Sequence, residues 1–477
     1  MKKVLAFDMG ATSIRGLLGW VENNRLVTEE VMRMSHQIVE KDNRLRWQWD
    51  RILERITQTI LEHQEEIASV GVDTWGVDFG ILDQNGDLIF PPISYRDEKH
   101  GLGYEKALEK LRREEIFLHT GNQIMPINTV FQLEALGELS PELLHRADKI
   151  LMLPDLLYYM LSGEIIAEES IWSTTGLLDL GKKALSEEIF HALDFKKEWM
   201  PPLIHSGKKM GSLKHSKIPA LQGLDIQVTA VCGHDTASAV LLTDAYYDPD
   251  SMFLSCGTWS LIGSVVDGCR ISEKVLEKDL TNELGFDSRA MLFKNITGLY
   301  LLEKYKQQLE EKLGREIDFK EITEYVQSAR EKVSHIDMED PAFGAEGLDA
   351  KGEIDKYLLD RGLALPSGDF DYFTLIYESL VEKYRQVKEM VQEVLGKKFS
   401  KMHIIGGGAR SRLLCGMICD KLEVTVKAGP AEASALGNII LQLYALGEIQ
   451  EVSQGVKLAL ENEIIQYPPM PGGSTVV

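Results

Sequence analysis

A carboxylate, a glycine-bearing turn, two hydroxyls and a cation fall within Asp8-Met9-Gly10-Ala11-Thr12-Ser13-Ile14-Arg15. Small residues let backbone N–H groups approach phosphate oxygens, Thr12 and Ser13 add donors, and Arg15 adds positive charge. Asp8 would repel bare phosphate, which suits a carboxylate that holds Mg²⁺, directly or through water. An ordinary capped β-turn is the competing reading. Ser255-Cys256-Gly257-Thr258-Trp259-Ser260 repeats the same logic, with Thr258 where a phosphate would sit and a plain hairpin as the alternative. Neither is a P-loop, because G-x-x-x-x-G-K-[ST] occurs nowhere in the chain.

Three further stretches carry chemistry. In Ile404-Ile405-Gly406-Gly407-Gly408-Ala409-Arg410-Ser411 an apolar run enters three glycines and then a helix. Bare backbone there can receive a flat ring or a phosphate, and a helix N-terminus favours an anion; a flexible connector is the alternative. In Cys232-Gly233-His234-Asp235-Thr236-Ala237 the apolar residues from Val228 to Val231 lead in and a helix from Ala237 to Leu242 leads out. Asp235 then sits on a strand-to-helix turn, where a carboxylate can serve as a general base, or merely as an N-cap beside a structural His234. Asp73-Thr74-Trp75-Gly76-Val77-Asp78 suits a polyol site with an apolar wall, or equally the interior of a sheet. Cys415 and Cys419 share one helix face, but no four-ligand spacing surrounds them, so they read as core.

The elements that must position these residues follow from periodicity. Short apolar runs at Lys3–Phe7, Gly16–Trp20 and Leu26–Met32, a helix capped by Asp50 with Leu53, Ile56, Ile60 and Leu61 on one face, and a run from Val70 predict the order β-β-β-α-β. Past a polar stretch at 244–250, Met252 to Gly263 repeats the opening arrangement of strand, small-residue turn and strand. A long helix near 373–395, a strand at 402–405 and a helix from about Ser411 complete a second, similarly built half. The expected domains are therefore 1–244 and 245–477.

Composition sets the limits. With 477 residues, 44% hydrophobic and 26% charged, the chain can bury a large core in two or three domains. The net charge of −22 argues against a nucleic-acid binder or a polybasic membrane protein and in favour of a small soluble partner. Five sparse cysteines read as reduced thiols without a disulfide framework. The apolar run after Lys3 stops at Asp8, too short for an export signal, and no run approaches a membrane span, so a cytoplasmic location is expected.

Taken in order, the Asp8–Arg15 loop, Asp73 to Phe79, Tyr95-Arg96-Asp97, His234 to Ala239, Ser255 to Ser260, Lys294-Asn295-Ile296-Thr297-Gly298-Leu299 and Gly406-Gly407-Gly408 resemble the FGGY carbohydrate kinases, within the actin, sugar-kinase and heat-shock ATPase superfamily. The resemblance spans Lys2 to about Gly447. It implies an α/β fold of two ribonuclease-H-like domains with an interdomain active-site cleft, an N-terminal sugar-binding domain and a C-terminal nucleotide-binding domain. It also implies Mg²⁺-assisted transfer of phosphate from ATP to O1 of L-rhamnulose; no protein partner is implied. Carried over by position, Ala11, Thr12, Ser13, Ile14, Arg15, Thr258, Glu303 and Gly408 would contact ATP, and Gly76, His234, Asp235, Thr236 and Asn295 the ketose, with Asp235 as base and Asp8 toward the metal. The string Phe-Gly-Gly-Tyr is absent. Another ketose kinase of the family, and an ATPase that needs no sugar, are the rival readings.

Overall fold

The structure is a computed structural model that describes residues 2–329, 334–344, 347–461 and 463–468. The chain divides into two compact units, Met1–Leu242 with Val265–Leu292 and Ala433–Asn462, and Thr243–Ser264 with Phe293–Glu432 and Glu463–Val477. The contiguous division at 244/245 is simpler than this, since two later segments join the first unit. Residues 469–477 of the expected second domain lie outside the described residues.

The first unit opens with β1 (Lys3–Met9), β2 (Ser13–Glu22) and β3 (Arg25–Ser35), then α1 (Trp49–His63) and β4 (Ile67–Thr74). Between β3 and α1 lies a hairpin that the hydrophobic pattern does not announce, pairing Ile38–Lys41 with Arg44–Trp47. Farther along come α2 (Leu153–Ser162), β5 (Lys208–Ser212), β6 (Gln227–Ala230) and α3 (Asp235–Val240). The sheet order is β5-β6-β4-β1-β2-β3. β1 is central and covered on both faces, which is why Val4, Leu5, Ala6 and Phe7 form an unbroken apolar run, each fully buried. β3, at the edge, is largely exposed and polar. The α1 stripe buries Ile52, Ile56 and Ile60 and leaves Leu53 and Leu61 partly covered. Asp50 is not its cap: Gln48 holds that place, and Asp50 sits in the first turn, where its charge complements the helix dipole.

The second unit holds β7 (Ser251–Cys256), most of β8 (Trp259–Val266) and of β9 (Ala290–Thr297), whose residues 265–266 and 290–292 group with the first unit, and then α4 (Tyr300–Leu313), α5 (Asp371–Leu395), β10 (Lys401–Ile405), α6 (Arg412–Leu422), β11 (Thr425–Ala428) and β12 (Ile465–Tyr467). These strands run in the order β9-β8-β7-β10-β11-β12. β7 pairs antiparallel with β8 and parallel with β10, as β1 pairs antiparallel with β2 and parallel with β4. The repeat read from two turns is thus a repeat of sheet topology. α7 (Ala433–Ala445) belongs to the first unit, where it crosses α3 so closely that a Cβ on Gly437 would lie 2.1 Å from the Ser238 carbonyl oxygen. Among the described residues no helix is long and apolar enough to cross a membrane.

Candidate active site

In the first unit, the β1–β2 turn is closed by the Gly10 N–H donating to the Ser13 carbonyl at 2.9 Å, and His36 braces it by donating Nε2–H to the Gly10 carbonyl at 2.8 Å. Burial lowers the His36 pKa, which favours the neutral imidazole in this brace. Among the described residues the amides of Ala11 and Thr12 make no backbone hydrogen bond, and Thr12 is exposed. A Cβ on Gly10 would meet nothing nearer than 3.4 Å, so the backbone does not require glycine there; open access to the amides does. Ile14 turns its side chain into the core. Arg15 donates to Asp8 Oδ2, so the expected phosphate cation is tied to the expected metal carboxylate, its partner in the β1–β2 register.

Beyond β6 the chain continues alongside β4: Thr74 N–H donates to the Gly233 carbonyl at 2.8 Å, which sets His234 and Asp235 beside Trp75 and Gly76. Glu168 fixes this bend. Its Oε2 accepts from the amides of Ser170 (3.0 Å), Ile171 (3.2 Å) and Gly233 (2.9 Å), and its Oε1 accepts from Ser206 Oγ (2.7 Å). His234 is the N-cap of α3 and Asp235 its first residue, so the bland cap reading of Asp235 does not hold. Asp235 Oδ1 accepts from the Thr236 amide at 2.6 Å and lies 3.4 Å from His234 Nε2. Oδ2 takes no hydrogen bond among the described residues, and the side chain is 27% exposed. Removal from water pushes the Asp235 pKa up to about 6, against the pull of His234 and with the added push of Asp8. One oxygen is therefore anchored while the other is free to accept a proton near neutral pH.

The Asp73–Asp78 stretch resolves differently from the polyol wall. Trp75 is buried, its ring 4.3 Å from that of Trp47 and stacked on His36 at 5.4 Å. Asp78 accepts from the indoles of Trp47 (2.6 Å) and Trp75 (2.8 Å), and burial raises its pKa to about 7. Asp73, fully buried, pairs with Asn438 of α7 at 2.7 Å. These carboxylates serve the interior of the unit. Gly76 lies against Thr174, and Val77 takes φ of 68°, a strained value for a β-branched residue, held by Thr174 Oγ1 on its amide and Thr129 Oγ1 on its carbonyl.

In the second unit, the β7–β8 turn is one residue tighter: Gly257 N–H donates to Trp259 O at 2.9 Å, and the Thr258 amide and hydroxyl have no hydrogen bond among the described residues. Gly298 and Leu299, just past β9, donate to the carbonyls of Thr258 (3.0 Å) and Gly257 (2.8 Å), which brings the Asn295 strand against this turn. Of the three glycines after β10, Gly406 needs its φ of 80°, and a Cβ on Gly408 would lie 2.4 Å from Cys256 Sγ. Gly407 alone is under no such constraint, its Cβ position being 4.0 Å from the nearest atom. The stretch is a short 3-10 turn, Gly407–Arg410, rather than a loose connector, and Ser411 caps α6. Glu303, in the first turn of α4, is exposed. Cys415 and Cys419 are free thiols on the buried face of α6.

Among the described residues no group of three or more His, Cys, Asp or Glu side chains could hold a metal ion. Asp8, whose Oδ2 accepts from Arg15, is the carboxylate at the first turn, and a single carboxylate with water and substrate phosphates is how Mg²⁺ is usually held. Sequence reasoning missed Glu168 and Glu283. The latter lies on the strand Thr281–Leu284 of the first unit, with Oε2 2.9 Å from His234 Nδ1. No spacing in the sequence links it to His234.

Each unit thus carries a sheet of the same pairing, with a glycine turn between its first two strands. The FGGY family of carbohydrate kinases matches in both parts, its N-terminal domain over residues 3–241 and its C-terminal domain over 252–446, and the chain belongs to this family. The rhamnulokinase of Pectobacterium atrosepticum is 36% identical over 463 residues, 95% of this chain and 90% of that protein. That of Bacteroides thetaiotaomicron is 34% identical over 94% of this chain and 92% of its own length. A ligand-bound xylulose kinase from Lactobacillus acidophilus has the same fold, with a TM-score of 0.81 at 17% identity, over 99% of this chain and 94% of that one.

Proposed function

We propose that the protein transfers the γ-phosphate of ATP to O1 of L-rhamnulose, giving L-rhamnulose 1-phosphate and ADP in L-rhamnose breakdown. The sugar identity rests on full-length similarity to proteins named rhamnulokinase. The chemistry rests on one observation, the Asp235 carboxylate with Oδ1 anchored and Oδ2 open. As O1 attacks the γ-phosphorus, its proton passes to Asp235 Oδ2, the O1–P bond forms and the bond from phosphorus to the bridging oxygen of ADP breaks. Unpaired amides at Ala11, Thr12 and Thr258, with the Thr258 hydroxyl, are the donors that would hold the phosphates. Mg²⁺, held by Asp8 directly or through water and by the phosphates, would neutralise charge on the transferring group. Gly408 and the open backbone at Gly407 would receive the adenosine, with Glu303 as a further nucleotide contact. Residues 1–244 would carry most of the sugar site and 245–477 most of the nucleotide site, with Gly76, His234 and Thr236 from the first and Asn295 from the second as sugar contacts. A cytoplasmic location goes with this dependence on ATP and with sparse, reduced cysteines.

A coupled ADP-release assay over a ketose panel tests the reading. Each hydroxyl misplaced against a fixed polar partner costs about 1–3 kcal/mol. L-rhamnulose should exceed L-fuculose, L-xylulose and glycerol in kcat/KM by at least about tenfold. An equal or better value on one of those three moves the protein to another branch of the family. ATP turnover unaffected by any sugar sinks the kinase reading.

A further inference from the structure

We propose that Glu283 is a positioning residue for phosphoryl transfer, holding His234 with Nδ1 toward its own carboxylate and Nε2 toward Asp235, so that the imidazole sets when Asp235 can take a proton. The proposal rests on the reading of Asp235 as the base.

Three side chains of the first unit form a line. Glu283 Oε2 lies 2.9 Å from His234 Nδ1, an ion-pair contact short of hydrogen-bond alignment that leaves both buried atoms to each other's charge, and His234 Nε2 lies 3.4 Å from Asp235 Oδ1, the oxygen also held by the Thr236 amide. Glu283 and His234 are both buried, and His234 is the ion-pair partner that Glu283 has among the described residues. A buried carboxylate is costly unless paired, so the pair favours an imidazolium. The strand that carries Glu283 is pinned within the unit: Leu284 N–H donates to Ser173 Oγ at 2.8 Å, Asn282 Nδ2 donates to the Gly121 carbonyl at 2.9 Å, and Asn122 Nδ2 donates to the Asn282 carbonyl at 3.0 Å. Nothing in general base catalysis by Asp235 requires a second buried carboxylate behind the histidine; a device that holds the ring and its charge does.

The groups that face this line are Glu283 from its strand, Asp235 from α3 and Glu168 from the bend beside Gly233, while Asp8 and Asp73 act on Asp235 from β1 and β4. Burial disfavours a charged His234, but Glu283, then Asp235 and Glu168, outweigh it and its pKa is raised. The retained positive charge in turn favours ionised Asp235. Removing the Glu283 charge lets His234 lose its proton, and Asp235 then holds its own proton to higher pH. The acidic limb of the rate profile should therefore move up.

The test is kcat/KM for L-rhamnulose between pH 5 and 9 in the wild type, Glu283→Gln, Glu283→Asp, His234→Asn and the double variant with Glu283→Gln. Glu283→Gln should raise the acidic limb by about 1 pH unit, the shift that losing a nearby opposite charge produces, with about a tenfold loss at low pH and near-normal rate above the limb. Glu283→Asp should return the limb toward wild type. In the His234→Asn background Glu283→Gln should move the limb no further. A loss equal at every pH, an unmoved limb, or the same shift without His234 overturns the role of Glu283. If Glu283→Gln does not fold, an unmoved limb in His234→Asn overturns it, and an upward shift supports it. An Asp235→Asn enzyme that still turns over removes the underlying reading; an inactive one, with an unmoved Glu283→Gln limb, removes only the proposal.

Discussion

The acid limb of the pH profile follows from where Asp235 sits. Its carboxyl is pushed up to about 6, chiefly by removal from water. Only the ionised form can take the O1 proton, so the rate must fall as pH drops through that value, in the direction expected for a base. With a pKa of about 6, about nine-tenths of the sites are ionised at pH 7 and about one-tenth at pH 5, a loss of about tenfold; an Asp at its ordinary value of about 3.9 would stay largely ionised at both. Asp235→Asn keeps the shape of the side chain and leaves an amide oxygen for the Thr236 N–H. It should lower kcat by about 10²–10⁴-fold, or about 3–5 kcal/mol of transition-state stabilisation, and erase the limb. The assay is coupled ADP release at saturating ATP from pH 5 to 8, with calorimetric ATP binding as the check on folding. A flat wild-type profile across that range, or a folded variant within a few-fold of wild-type turnover, refutes the assignment of Asp235 as base.

Gly407→Val should weaken ATP binding at least about tenfold, about 1.4 kcal/mol, while leaving thermal stability and sugar binding nearly unchanged, because its Cβ position is open; unchanged ATP affinity by calorimetry places the nucleotide elsewhere. Gly408→Ala is the contrasting case. A Cβ 2.4 Å from Cys256 Sγ overpacks the interior, and the cost of about 1–3 kcal/mol should appear as a lower Tm. Asn295→Ala should narrow the preference for L-rhamnulose over L-fuculose and L-xylulose and reduce sugar turnover more than ATP affinity; an unaltered preference excludes Asn295 from sugar discrimination.

Local pattern carried the elements. The apolar run Val4–Phe7, the stripe Ile56–Ile60, the glycine turns at Gly10 and Gly257 and the Ser411 helix start all depend on neighbours a few residues apart, and each lies where periodicity and turn chemistry put it. The resemblance of ordered motifs likewise identified the family before any coordinate did. Contacts between distant segments leave no such trace. Trp75 reads equally well as a sugar wall or a core residue until Trp47 and His36 are seen stacked on it. Three adjacent glycines look alike in sequence, yet Gly406 answers to backbone φ and Gly408 to Cys256, and only Gly407 is left open for a ligand. Arg15 reads as a phosphate cation until the strand register sets it against Asp8. Glu283 meets His234 from far along the chain because a strand, pinned by Ser173 and Gly121, brings it there. Such pairings are set by how packed elements cross, and the burial that shifts Asp235 is a property of all of them together, so tertiary structure alone decides them.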